Sequence, residues 1–177
     1  MVFPYIKGIF HKGTKPERAS WFIWATLGLI SVFSQVAKGA TYSLWLPAGQ
    51  TIAVWIVFAL SIKYGVGGFT KRDFNALIAA GIGLILWFIT KEALWALLIT
   101  IAIDSVATSL SVMKAYEDPK SETMSMWFIS GTSGIFGALA VGAFNPVLLI
   151  YPIYIILANY TVVTAMILGR RKKEFII

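Results

Sequence analysis

The chain has 177 residues, 58% of them hydrophobic and only 13% charged, and its mean hydropathy is +0.79. That balance leaves too little polar surface for a soluble globule of this length, and the absence of cysteine excludes disulfides and thiolate metal sites. The net charge of +7 does not describe a nucleic-acid binder, because the basic residues lie in short loops with no aromatic-interleaved basic surface beside them.

From the N-terminus, Met1 to Phe10 is too short, and too broken by Pro4 and Lys7, to be a secretory signal. Six apolar runs follow, at about 20–37, 44–62, 74–90, 93–113, 124–142 and 146–168. Each is close to the roughly 20 residues a helix needs to cross about 30 Å of hydrocarbon. Short connections predict a single transmembrane domain over 1–177: an all-α, six-helix bundle. Trp21, Trp24, Trp45 and Trp127 fall near the expected interfaces and read as aromatic-belt anchors, whereas Trp55, Trp87 and Trp95 are less tied to an interface. Pro47, Pro146 and Pro152 are expected in first turns, where a missing N–H costs little. Ser130, Gly134, Ala138 and Gly142 stand four apart and form a small-residue stripe for helix packing; Gly81 and Gly83 read the same way.

With alternating crossings, 13 of the 15 Lys and Arg residues fall on one side, leaving Lys38 and Lys91 on the other. This asymmetry predicts a multi-pass protein of the plasma (inner) membrane with both termini cytoplasmic. The tail Arg170-Arg171-Lys172-Lys173 is expected to rest against anionic headgroups. The lipid bilayer is therefore the one partner composition identifies, and no nucleic-acid partner is expected.

A weak duplication organises the chain. Shifting it by 103 positions places Pro16 on Pro119, Trp24 on Trp127, Gly28 on Gly131, Phe33 on Phe136, Ala37 on Ala140, Gly39 on Gly142 and Ala40 on Ala143. A shuffled chain of this composition gives about two such identities over the same stretch. Ser20 meets Thr123 as a near match, and Lys7 aligns with Lys114 across a gap of four residues. The copies are four crossings apart, so they share one orientation, and such parallel repeats mark transporter architecture.

On these residues the chain resembles the PQ-loop and SWEET group of small transporters, in which two three-helix bundles are joined by a linker helix. The family pattern places a Pro-Gln pair at the end of each bundle's first helix, then a lysine and a small hydroxyl residue. Here Pro4-Tyr5 stands where the first pair is expected, with Lys15-Pro16 and Ser20 downstream. Ser111-Val112 replaces the second, followed by Lys114, Pro119-Lys120-Ser121 and Thr123. The resemblance implies a 3+1+3 arrangement lacking its first helix: repeat 1 at about 4–64, a linker helix at about 74–90 and repeat 2 at about 93–168. Only the stub Phe3-Pro4-Tyr5-Ile6 remains of that helix, which makes a homodimer one way to cover the exposed face.

The chemically distinctive residue is Asp104, halfway along the fourth span, where an ionised carboxylate costs at least ~2.5 kcal/mol and so faces protein or water. Thr100, Thr108 and Ser111 share its face, and Asn159, Tyr160 and Thr161 form the polar run at mid-depth in the sixth span. The expected substrate site is Asp104, Asn159, Tyr160 and Thr108, with Asp104 also carrying a coupling proton. The alternative is a structural carboxyl satisfied by neighbouring hydroxyls. Gln35 and Gln50 read equally as vestibule residues or interhelical hydrogen bonds. No enzyme signature is present: His11 is the sole histidine, Glu92 lies at the far boundary, and Gly131-Thr132-Ser133-Gly134-Ile135 sits in an unbroken apolar run without a base. No catalytic residue, metal or cofactor is therefore expected. The sequence predicts a small secondary transporter or facilitator for an unidentified small polar solute; the alternative is a non-transporting membrane subunit or assembly factor.

Overall fold

In a computed structural model, the residues described are 2–11, 13–37, 45–68, 70–90, 93–141, 144 and 146–174. The apolar runs form helices α2 (Arg18–Ala37), α3 (Trp45–Tyr64), α4 (Lys71–Ile89), α5 (Ala93–Glu117), α6 (Met124–Ala140) and α7 (Pro146–Glu174). A short helix α1 (Phe3–His11) precedes them, and a 3-10 turn, Pro119–Ser121, joins α5 to α6. Among the described residues the only strand-like feature is an isolated bridge between Glu17 and Val66. Lys71–Ile89, Leu94–Glu117 and Pro146–Lys172 are long and apolar enough to cross a membrane, and Arg18–Phe33 and Met124–Ala140 are shorter apolar helices. The chain is an all-helical membrane protein.

Helix α5 is the centre of the arrangement and packs against α2, α4 and α7; α3 pairs with α2, α6 with α7, and α1 leans on α6. Small residues set the α6–α7 distance. A Cβ on Gly134 would stand 2.9 Å from the Pro152 carbonyl oxygen and 2.9 Å from Ile156, and one on Gly131 would stand 3.2 Å from the Tyr160 ring. Ser130 is buried and Ala138 half-buried on the same helix, while Gly142 lies outside the described residues. Gly83 plays the expected part in α4, since a Cβ there would meet Ile103 of α5 at 2.5 Å; Gly81 faces open space instead.

Burial is strongly one-sided. In α2 no described residue beyond Ala25 is buried, in α4 none beyond Ala80, in α5 none before Ile103, in α6 none beyond Gly134 and in α7 none before Asn159. The exception is Thr51 of α3, seated on Gly28. Thr26 to Ile30 go once round α2 at about 3.6 residues per turn, and none is buried, so no face of that helix is sealed there. Leu94 to Ala102 of α5 behave alike. Full burial is thus concentrated at the end carrying the basic loops; towards the other end the helices still meet, Leu27 of α2, Leu84 of α4 and Ile99 of α5 lying partly buried against Ile23, Ala80 and Ile103.

Two expectations change. Trp21 and Trp127, expected as interface anchors, are 1% and 4% exposed and belong to the core with Tyr5, Val57 and Val162. Their indoles complete the packed end, where the apolar area of large rings is worth most. Pro152 stands inside α7 and not in its first turn, because the helix already begins at Pro146.

The packing predicts a contrast between two glycines. Gly134→Ala forces a methyl against a backbone oxygen and should destabilise the α6–α7 pair by about 1–3 kcal/mol. Gly137→Ala, whose Cβ would sit 3.7 Å from Pro152, should be tolerated. Thermal unfolding in detergent distinguishes them, and equal midpoints for the two variants would refute close packing at Gly134.

Candidate functional site

The polar stripe of α5 runs from the fully buried end into the partly buried one. Ser111 is fully buried and donates to Ser20 Oγ at 3.2 Å; Thr108 is 8% exposed; Asp104 and Thr100 are only half-buried. Asp104 therefore lies at the floor of the partly buried zone, next to the fully buried one. The Tyr154 hydroxyl of α7 donates to Asp104 Oδ2. The indole of Trp24 from α2 lies against the same carboxyl. Tyr151 stands one turn from Tyr154, their rings 6.4 Å apart.

The structure redistributes the residues expected here. Asn159 is buried but turns its amide to the Ile155 carbonyl of its own helix, at 2.8 Å. Tyr160 faces α6, its hydroxyl 3.1 Å from Thr132 Oγ1 and its ring edge-on to Phe128. Neither is the hydrogen-bonding partner of Asp104; that role falls to Tyr154. In sequence Tyr154 sits in an apolar run and looks like one more core aromatic. The signal that could have found it is its spacing from Tyr151, which puts two phenols on one face of α7. Gln35's side chain lies outside the description, and Gln50 is exposed.

Below this floor the bundle is closed by rings and by charge. Tyr5 meets Trp21 at 5.0 Å, Trp21 meets Trp24 at 5.3 Å, and Trp24 meets Trp127 at 5.9 Å between ring centroids. Glu122, with no exposed side chain, pairs with Lys114 and accepts from Trp127 Nε1 at 2.7 Å and from Tyr5 at 3.3 Å. Burial first, and then the Glu122 carboxylate, holds the Tyr5 phenol well above its ordinary pKa, so it stays an O–H donor. Lys114 also donates to the Lys15 carbonyl. Lys15 N–H in turn donates to Ser121 O at 2.8 Å, and Thr14 and Thr123 share a 2.7 Å hydroxyl contact. These bonds tie the loop before α2 to the loop before α6.

A second clamp holds the α3–α4 loop. Glu17 Oε2 accepts from Ser20 N at 2.6 Å and so caps α2, while Ser20 Oγ lies 2.6 Å from the Ala107 carbonyl of α5. Asp73 Oδ2 accepts from Gly68 N and Thr70 N, the latter within a capping box that starts α4. Gly67 is required twice over: its φ is 73°, and a Cβ would stand 2.1 Å from Glu17 Oε1. Burial, opposed by the Ser20 bonds and reinforced by Asp73, raises the pKa of Glu17. Arg18 closes the end of α3 by donating to Ser61 O and Gly67 O, each at 2.9 Å.

Among the described residues no group of three or more His, Cys, Asp or Glu could hold a metal ion. Comparison with known proteins gives no match: no family model, no curated protein and no solved structure is similar to this chain.

Removing the Lys114 amine leaves the Glu122 carboxylate buried without its counter-charge. Lys114→Met should cost about 3–5 kcal/mol, whereas Lys120→Met, at an exposed position, should cost almost nothing. Chemical denaturation in detergent checks both, and a Lys114→Met variant as stable as Lys120→Met would contradict the buried pair.

Proposed function

We propose that the protein is a small secondary transporter or facilitator that binds a small polar solute at Asp104 and alternates access to it across the membrane. The observation that carries this is the one-sided burial: an acidic residue at mid-helix stands where full burial, complete towards the basic end, becomes partial towards the other. A solid core would bury α2, α4 and α5 along their whole length. Here they are buried only from Asp104 towards the basic loops, which is what one state of an alternating carrier requires.

In this reading all six long helices cross, the basic end is cytoplasmic, and Asp104 carries the coupling proton. Pairs of matching contacts support the parallel repeat. Trp24 and Trp127, aligned in sequence, touch each other, as residues near a two-fold axis do. Pro16 abuts Gly65 at the end of α3, and Pro119 abuts Gly169 in α7. The pairing of α2 with α3 matches that of α6 with α7, and α1 on α6 matches α5 on α2. Helix α1, nine residues long, then takes the place of the first helix in a PQ-loop or SWEET-like plan. An apolar groove of about 450 Å³ beside α2 and α3, lined by Leu29, Ile52, Trp55 and Ile56, opens on the side of α3 away from Val57.

One observation favours the non-transporting alternative: the Tyr154–Asp104 bond is also what a structural carboxyl makes. Uptake of a panel of small solutes into proteoliposomes separates the two. The transport reading expects pH-dependent flux for some solute, and Asp104→Asn should be folded but lose that dependence. Flux with unchanged pH response in Asp104→Asn removes the coupling role, and an inert wild type across the panel favours the structural one.

A further inference from the structure

The groups around Asp104 specify the charge of what binds there. Away from the basic end, Asp104 is the sole ionisable acid on the described membrane helices, and no Lys or Arg of α2, α4, α5 or α7 stands near it. Lys114, the nearest cation on its own helix, lies ten residues away, about 15 Å along the axis, and is paired with Glu122. The titratable groups facing the carboxyl are Tyr154 and Tyr151 of α7; α2 contributes the indole of Trp24, and α4 carries its charges, Lys71, Arg72 and Asp73, in its first turn.

The other polar groups of this stretch are acceptors. Thr100 Oγ1 donates its proton to Ala96 O at 2.8 Å and Ser105 Oγ to Ile101 O at 2.7 Å, so each has lone pairs left to present. The Tyr154 proton and the Trp24 indole N–H are already directed at Asp104. What remains is a carboxylate, hydroxyl lone pairs and the aromatic rings of Tyr154 and Tyr151 beside it. A sugar or an anion needs donors that this arrangement does not offer. A cation needs none, and aromatic faces attract it in proportion to how far water is excluded.

We propose that the ligand of the Asp104 site is an organic ammonium ion, held by the carboxylate and by the neighbouring rings of Tyr154 and Tyr151, and exchanged there against a proton. This rests on reading Asp104 as a transport site and names the chemical class of its substrate. The exchange follows from charge: a lone carboxylate in a medium of low dielectric takes up one positive charge, and proton and ammonium are alternatives for it.

The probe is benzyltrimethylammonium, with neopentylbenzene as its neutral isostere, titrated by calorimetry into the purified full chain in detergent. The cation should bind saturably, about tenfold or more tighter than the neutral compound. Its binding should weaken as the pH falls and the carboxyl is protonated, and where the carboxyl is protonated binding should release a proton, seen as heat that varies with the ionisation enthalpy of the buffer. Asp104→Asn should abolish binding, Asp104→Glu should retain part of it, and Tyr151→Leu should weaken it while leaving the pH response. Equal affinity for the neutral isostere, or undiminished binding of the cation to folded Asp104→Asn, overturns the ammonium assignment. Should Asp104→Asn not fold, proton release by the wild type decides alone, and none on binding overturns the exchange. Binding that depends on Asp104 without flux into proteoliposomes upholds the site and refutes transport. Flux of another solute with no cation binding upholds transport and refutes the ammonium class.

Discussion

The buried pair between Lys114 and Glu122 is the constraint on which the rest of the architecture depends. Two opposite charges withdrawn from water persist only where their remaining hydrogen bonds are met, and here they are met by parts of the chain distant in sequence. Tyr5 comes from α1, Trp127 from α6 and the Lys15 carbonyl from the loop before α2. Satisfying one carboxylate and one ammonium thus fixes three segments relative to α5. The aromatic rings from Tyr5 to Trp127 then fill the same end with apolar area. This is why the short α1 is docked at all: nine residues cannot hold a helix in place by propensity, but a buried phenol bonded to Glu122 can.

The fully buried end gives the other its meaning. Glycines let α2 approach α3, α6 approach α7 and α4 approach α5 closely. Asp104 lies where full burial ends, bonded to α7 through Tyr154 and adjacent to α2 through Trp24. In the transport reading proposed above, a ligand that takes Asp104 away from Tyr154 changes a contact between α5 and α7, and that one hydroxyl would link binding to movement.

Run length and charge placement made most of the helices legible, because crossing a bilayer demands about 20 apolar residues whatever their neighbours. Asp104 was legible for the same reason: a carboxylate is conspicuous in an apolar run. Trp24 and Trp127, which the 103-residue shift aligns, touch each other, a contact the sequence did not announce. What the sequence could not carry was the rotation of each helix about its axis. Asn159 looked like the natural partner of Asp104 because both are polar at mid-depth, yet Tyr154, one and a half turns earlier, is the residue α7 presents there. Trp21 and Trp127 looked like interface anchors because depth was read from the ends of the runs, whereas the loops fold inward and bury them. Glu122 carried a signal of its own: an acid in the loop after α5, eight residues from the apolar-flanked Lys114, invites a pair.

The central claim is that the space above Asp104 is open to water on the side opposite the basic loops and closed below it. The chain contains no cysteine, so single cysteines on the polar stripe of α5 report this directly. A membrane-impermeant thiol reagent added outside sealed cells should react with Thr100→Cys and not with Ser111→Cys. Protection of both would mean a solid core, and reaction of Ser111→Cys in preference to Thr100→Cys would contradict both the opening and its orientation.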